Sequence, residues 1–253
     1  MRHIPNLFTL LNLVFGFMAI IVTLQNGITI QYTEDASQFI DVTENLVLAS
    51  VYIAIAACID FLDGFVARLM RASSELGKQL DSLADVVSFG VAPGMIVYQF
   101  LRLSWAKEAS GIDVYWGLLL PAVLIPLAAA YRLGRFNLDR SQEYGFKGVP
   151  VPAAGLLIAS FPLIYWFSGN ETAISLLMNQ WVLYAVILLV SGLMVSRIPM
   201  MAFKFKERSI PANLPQVMLV VIAVVATLSL KWIAVPVIFL SYIILSLIFK
   251  KKT

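Results

Sequence analysis

The chain has 253 residues, 60% of them hydrophobic and only 13% charged. A soluble domain carries about 25% charged residues, so this chain cannot clothe a soluble surface and the bilayer must be its solvent. The formal net charge of +3 comes from basic residues scattered between apolar runs, which argues against nucleic-acid binding.

A hydrocarbon core of about 30 Å needs about 20 apolar residues as helix. Eight runs answer that description, at roughly 5–25, 46–70, 79–104, 115–138, 152–168, 181–196, 214–230 and 232–249. The first follows Met1-Arg2-His3 and imitates a signal peptide, but it is long and no small-x-small cleavage site precedes a polar mature domain. It is therefore expected to be the first span. Between the first and second runs lies an acidic stretch, roughly 26–45, with Glu34, Asp35, Asp41 and Glu44 and no Lys or Arg. The lone cysteine, Cys58, falls in the second run and excludes an intrachain disulfide; it reads as a small core residue. His3 is terminal and expected to be uninvolved. Trp105, Trp116 and Trp181 fall near run ends, as interfacial aromatics do.

Lys and Arg collect on the cytoplasmic side of membrane proteins. With the N-terminus inside, the inner ends hold Arg2, Arg68, Arg71, Lys78, Arg132, Arg135, Arg140, Lys147, Arg197, Lys204, Lys206, Arg208 and Lys250 to Lys252. That leaves only Arg102, Lys107 and Lys231 outside, out of 18 basic residues. An even number of spans with both termini cytoplasmic follows. No internal repeat and no soluble second domain interrupts the pattern, so residues 1–253 read as one all-α polytopic helical bundle.

Four aspartates lie inside these runs: Asp60, Asp63, Asp81 and Asp85. Each charge at depth costs at least about 2.5–3.5 kcal/mol on insertion scales, so a cluster of four is functional by default and calls for cations. Asp60 and Asp63 are spaced i,i+3 and share one helix face, as do Asp81 and Asp85 at i,i+4. The short Arg71–Lys78 segment makes the two helices antiparallel neighbours and brings the pairs to a similar depth. Two facing carboxylate pairs form an oxygen-rich nest suited to hard divalent cations such as Mg²⁺ or Mn²⁺. Two such ions could bridge a pyrophosphate and favour an in-line displacement. Gly64 and Ala67 keep one face bare for a nucleotide or a neighbouring helix. Arg68 lies two turns beyond Asp60, where a guanidinium can bind phosphate bidentately. Gly77 permits a tight backbone, and the Ser74 hydroxyl could donate to phosphate.

Asp60-x2-Asp63-Gly64-x2-Ala67-Arg68-x8-Gly77-x3-Asp81-x3-Asp85 resembles the full signature of the CDP-alcohol phosphotransferases, with every position filled. That resemblance implies a six-helix core, here with about two further C-terminal helices, so that residues about 4–200 would be the core and about 214–249 the addition. It also implies a homodimer and a two-metal site. Asp60 and Asp81 would touch both ions, and Asp63 one. Asp85 would ligate the other and act as general base. Gly64, Arg68 and Ser74 fall on positions that contact the CDP moiety in relatives, and Ala67 and Gly77 belong to the same signature. Four further stretches are similar to the phosphatidylserine synthase branch: Ile4-Pro5-Asn6-Leu7-Phe8-Thr9-Leu10-Leu11-Asn12, Ser88 to Gly94, Tyr131 to Asn137, and Gly148 to Ala154. Gly94 and Gly134 depart from it, standing where alanine is expected.

The implied reaction moves the phosphatidyl group of CDP-diacylglycerol to L-serine and releases CMP. Serine brings a carboxylate, and Arg132 and Arg135, on one face at the inner end of the fourth run, are suited to bind it or the donor phosphate. Both would also serve as positive-inside anchors. Ser88 and Asn137 are weaker candidates that helix-packing hydrogen bonds explain equally well. Asn6, Thr9 and Asn12 could contact the cytidine end or could cap and bond between helices. Two rival readings stay open. One is a relative with another acceptor, such as a phosphatidylglycerophosphate or inositol-phosphate enzyme. The other is a cation transporter using the intramembrane aspartates, against which stands the single occurrence of the acid cluster, since transporters often repeat their sites in matching halves. An uncleaved polytopic chain suggests a prokaryotic inner membrane.

Overall fold

The computed structural model describes residues 4–27, 29–32, 38–41, 44–69, 74–107, 114–138, 146–201 and 213–249. Among the described residues there are ten α-helices: α1 Ile4–Leu24, α2 Asn45–Leu69, α3 Glu75–Asp85, α4 Ala92–Ala106, α5 Leu124–Leu138, α6 Val151–Phe167, α7 Glu171–Leu177, α8 Gln180–Val195, α9 Leu214–Leu230 and α10 Ala234–Ile248. Among the described residues five helical stretches are long and apolar enough to cross a membrane, or six when the α7–α8 pair, bent by 72°, is counted as one span. The protein is an all-α, multi-pass integral membrane protein.

Each of the eight apolar runs is found as helix. The third is longer than its apolar letters suggest. It starts at Glu75 because Ser74 caps it, its Oγ accepting from the Gly77 amide at 3.0 Å, which satisfies one of the orphan donors of the first turn. It then continues through a π-helical segment, Val86–Val91, into α4 without a break. The fifth, α6, has 17 residues and at 1.5 Å per residue spans only ~25 Å. It is packed among α2, α4 and the π segment, so its length need not match the lipid. The last two runs reverse at Lys231, whose φ of 52° turns the chain so that α9 and α10 pack on each other as a hairpin.

Two short antiparallel pairings accompany the helices. β1 (Thr29–Tyr32) and β2 (Gln38–Asp41) form a hairpin in the acidic stretch, with Thr29 opposite Asp41 and Tyr32 opposite Gln38. β3 (Phe146–Lys147) pairs with β4 (Pro199–Met200), joining two loops far apart in sequence.

The bundle is drawn together on the π segment, which α1, α5 and α6 all touch. Small residues make the approach close. A Cβ at Gly16 would fall 2.7 Å from Ser88 Cα, and one at Gly155 would fall 3.0 Å from the Phe89 backbone. Without a hydrophobic drive between helices in lipid, such close backbone packing is a main source of association. Phe89, Phe100, Ile96 and Ile158 are fully buried there. Cys58, expected in the core, is instead exposed on α2; in a bilayer a small apolar side chain facing acyl chains loses nothing by leaving the protein interior. Trp116 and Trp181 are exposed, whereas the Trp105 indole donates to the Tyr184 hydroxyl at 3.0 Å. His3 lies outside the described residues.

Candidate active site

Asp60, Asp63 and Asp81 offer carboxylate oxygens that all lie within 4.8 Å of one another. The i,i+3 spacing on α2 and the start of α3 at Ser74 set this geometry. Asp60 is also within interaction distance of Asp85. The acids of α2 and α3 meet across this nest. α1 packs against both and forms the third wall of the nest, and the space between α2 and α3 belongs to the carboxylates.

α1 supplies the hydrogen bonds that orient two of the acids. Thr9 Oγ1 donates to Asp63 Oδ2 at 2.9 Å, and Asn12 Nδ2 donates to Asp85 Oδ1 at 3.3 Å. Asp63 and Asp85 are each only 6% exposed. Of the two roles open to Thr9 and Asn12, bonding between helices is the one seen. The signal for it was a polar side chain every third residue, Asn6, Thr9 and Asn12, in an otherwise apolar run: one stripe facing the acids.

The nest fits a divalent cation by its chemistry. It gathers oxygen ligands only, and Asp81 Oδ1 is a buried atom without a hydrogen-bond partner. A buried acceptor left open costs about 1–3 kcal/mol, and a hard cation is the group that would satisfy it.

The remaining sequence candidates divide by position. Gly64 lies on α2 with open space where a Cβ would be. Ala67 and Arg68 belong to α2, but their side chains lie outside the described residues. Ser74 is the α3 cap, and Gly77 gives Asn6 room, since a Cβ there would meet Asn6 Oδ1 at 2.9 Å. Ser88 does not open onto the nest. It is fully buried and donates to the Asn12 carbonyl at 3.1 Å, holding the residue that holds Asp85. Asn137 donates to Ser82 Oγ at 2.8 Å and ties α5 to α3.

Arg132 and Arg135 stay together. Arg132 is 7% exposed, lies near Asp85, and stacks over Phe136 with its guanidinium carbon 6.0 Å from the ring centre; its Nε is buried without a hydrogen bond. Arg135 donates to the Val195 carbonyl at 3.2 Å. With Lys147, Tyr131, Phe136, Met194 and Val195 they line a small cavity. Two guanidinium groups on one cavity repel one another and favour an anionic occupant. Lys147 was legible in the sequence only as one more inner-side charge; the β3–β4 pairing, which no local pattern encodes, brings it to the arginines.

The family model for CDP-alcohol phosphatidyltransferase matches residues 2–191. The chain is similar to a CDP-diacylglycerol--serine O-phosphatidyltransferase from Helicobacter pylori, 31% identical over 79% of this chain and 72% of the relative. It is also similar to the protein of the same name from Bacillus subtilis, 30% identical over 65% of this chain and 78% of the relative. An archaetidylserine synthase from Methanothermobacter thermautotrophicus is 29% identical over 67% of this chain and 62% of the relative.

Proposed function

The chain belongs to the CDP-alcohol phosphatidyltransferase family, and from that premise we propose that it transfers the phosphatidyl group of CDP-diacylglycerol to the hydroxyl of L-serine, giving phosphatidylserine and CMP. The observation that carries this reading is the pairing of two unlike sites. Asp60, Asp63 and Asp81 converge within 4.8 Å, and beyond Asp85 lies a cavity ringed by Arg132, Arg135 and Lys147. The relatives support the acceptor, since bacterial and archaeal proteins named for serine transfer align over the same region.

The donor diphosphate belongs at the acid nest, with the cytidine end towards Gly64, Ala67, Arg68, Ser74 and Gly77 and the Asn6 and Thr9 end of α1. Asp60, Asp63, Asp81 and Asp85 would hold two divalent cations, Mg²⁺ or Mn²⁺, which when bound neutralise the diphosphate and favour in-line displacement. Asp85, held by Asn12, takes the proton from the serine hydroxyl. The serine oxygen forms its bond to the β-phosphorus, the one bearing diacylglycerol, and the bond from that phosphorus to the CMP oxygen breaks. Arg132 and Arg135 hold the serine carboxylate, which places the hydroxyl on the Asp85 side of the cavity. Ser88 acts from behind by fixing Asn12, and Asn137 by fixing α3 against α5.

The distribution of Lys and Arg supports an orientation with both termini and the site on the cytoplasmic side, where soluble serine and the lipid donor meet, and a prokaryotic inner membrane is the proposed location. Residues about 4–200 would form the catalytic core and α9–α10 an addition to it, and a homodimer is the proposed assembly. Purified protein should release CMP from CDP-diacylglycerol only when serine is present, and EDTA should stop the release. Cation flux through reconstituted vesicles without CMP release would instead identify a transporter.

A further inference from the structure

The family match ends at residue 191, so α9 and α10 lie beyond it. α10 is apolar apart from Ser241, Tyr242 and Ser246, and two of these are buried: Tyr242 is 4% exposed and Ser246 3%. Spaced i,i+4, they share a face, and both reach Met201. The Tyr242 hydroxyl donates to the Met201 carbonyl at 3.0 Å, and the Met201 amide donates to Ser246 Oγ at 3.1 Å. One helix therefore binds both backbone polar groups of a single residue at the end of β4.

β4 leads back to the cationic cavity. Met200 pairs with Phe146, and Pro199 with Lys147. The Gly148 amide donates to the Ile198 carbonyl at 2.8 Å, and the Val149 amide to Leu193 at 3.1 Å. Gly148 takes a φ of +77°, and a Cβ there would meet the Met194 carbonyl at 2.5 Å, so only glycine lets the β3 loop lie this close to the end of α8. Arg135 is fastened to Val195 of the same turn. Tyr242 itself comes close enough to Arg132 for the two to interact electrostatically.

We propose that the C-terminal hairpin is part of the acceptor-binding apparatus: Tyr242 and Ser246 are positioning residues that clamp the β3–β4 strap through Met201 and so hold Arg132, Arg135 and Lys147 around the cavity that takes the acceptor's carboxylate. This rests on the reading of that cavity given above. It assigns the hairpin work at the acceptor cavity, some distance in sequence from the signature.

The test uses the full-length protein and four variants, Tyr242→Phe, Ser246→Ala, Ser246→Thr and Arg132→Lys, each assayed with serine varied at saturating CDP-diacylglycerol and the reverse. Ser246→Ala and Tyr242→Phe should each raise the KM for serine about 3- to 10-fold, the size of one lost hydrogen bond, with the KM for CDP-diacylglycerol and kcat within about twofold. Ser246→Thr, which restores a hydroxyl, should recover most of the serine KM. Arg132→Lys should raise the serine KM by more than either. An unchanged serine KM in both hairpin variants, with Arg132→Lys still impaired, overturns the hairpin proposal alone. An unchanged serine KM in Arg132→Lys overturns the reading of the cavity and the proposal with it. Loss of kcat with equal effects on both substrates and a lowered Tm in detergent marks the hairpin as a structural support only and overturns the proposal. A rise confined to the KM for CDP-diacylglycerol means that the cavity holds donor phosphate, and also overturns it.

Discussion

α2 and α9 are both helices of a bilayer protein, and they answer to different constraints. α9 carries no Asp, Glu, Lys or Arg along Leu214–Leu230, and most of its side chains are exposed or half-buried, with only Leu219 and Ala226 buried. α2 carries Asp60 and Asp63 on the face turned to α1 and α3. Lipid asks of α9 only that it be apolar and long enough. The acids of α2 demand partners, and those come from elsewhere in the chain: Thr9 from α1 and Asp81 from α3. A membrane helix without buried charge is thus set largely by its own letters, whereas one with it is set by its neighbours.

The sharpest way to test the difference is to remove charge from the nest without changing its shape. Asp85→Asn should lower turnover by about 10²–10⁴-fold, the usual contribution of a general base, while CDP-diacylglycerol still binds. Equilibrium binding of the donor beside a steady-state CMP assay checks both halves, and turnover near that of the parent protein would remove Asp85 from the role of base. A smaller effect is expected one step back from the acids. Asn12→Ala leaves every carboxylate in place but frees Asp85 Oδ1 from its donor, and should lower kcat by about 10–100-fold, as the loss of an outer partner of a metal ligand typically does. If kcat holds, α1 is only a packing wall. The smallest effect belongs to the lipid-facing helix. Leu228 on α9 is 82% exposed, and Leu228→Ala should change stability by less than ~0.5 kcal/mol and leave activity untouched. A large fall in Tm would mean that this face is covered in the assembled protein.

The same contrast explains what could be read in advance. All eight apolar runs were legible with their limits nearly right, because length and apolarity are local properties that a bilayer enforces on each segment. The four acids were legible because charge at depth has no bland explanation. Their supporting arrangement was less so. Helix spacing placed Asp60 with Asp63 and Asp81 with Asp85, but the third wall from α1 was missed. Ser74, read as a phosphate donor, is found also to cap α3. Ser88, open equally to substrate and to a helix-packing bond, is buried and donates to the Asn12 carbonyl. A hydroxyl in a membrane helix satisfies itself with the nearest carbonyl, and which carbonyl is nearest depends on the π segment, which has no plain mark in the sequence. Lys147 reaches the arginines through β3–β4 pairing across more than fifty residues, and Tyr242 and Ser246 join that strap through Met201, beyond the reach of any periodicity.

The account stands most directly on the acceptor. Purified protein, given CDP-diacylglycerol and a divalent cation, should be offered L-serine, glycerol 3-phosphate and inositol phosphate in parallel, with CMP release and the lipid product both measured. Serine should support CMP release and yield phosphatidylserine, with the phosphorylated acceptors at background. Faster release with glycerol 3-phosphate or inositol phosphate, or none with serine, would contradict the assignment of the Arg132–Arg135–Lys147 cavity to a serine carboxylate.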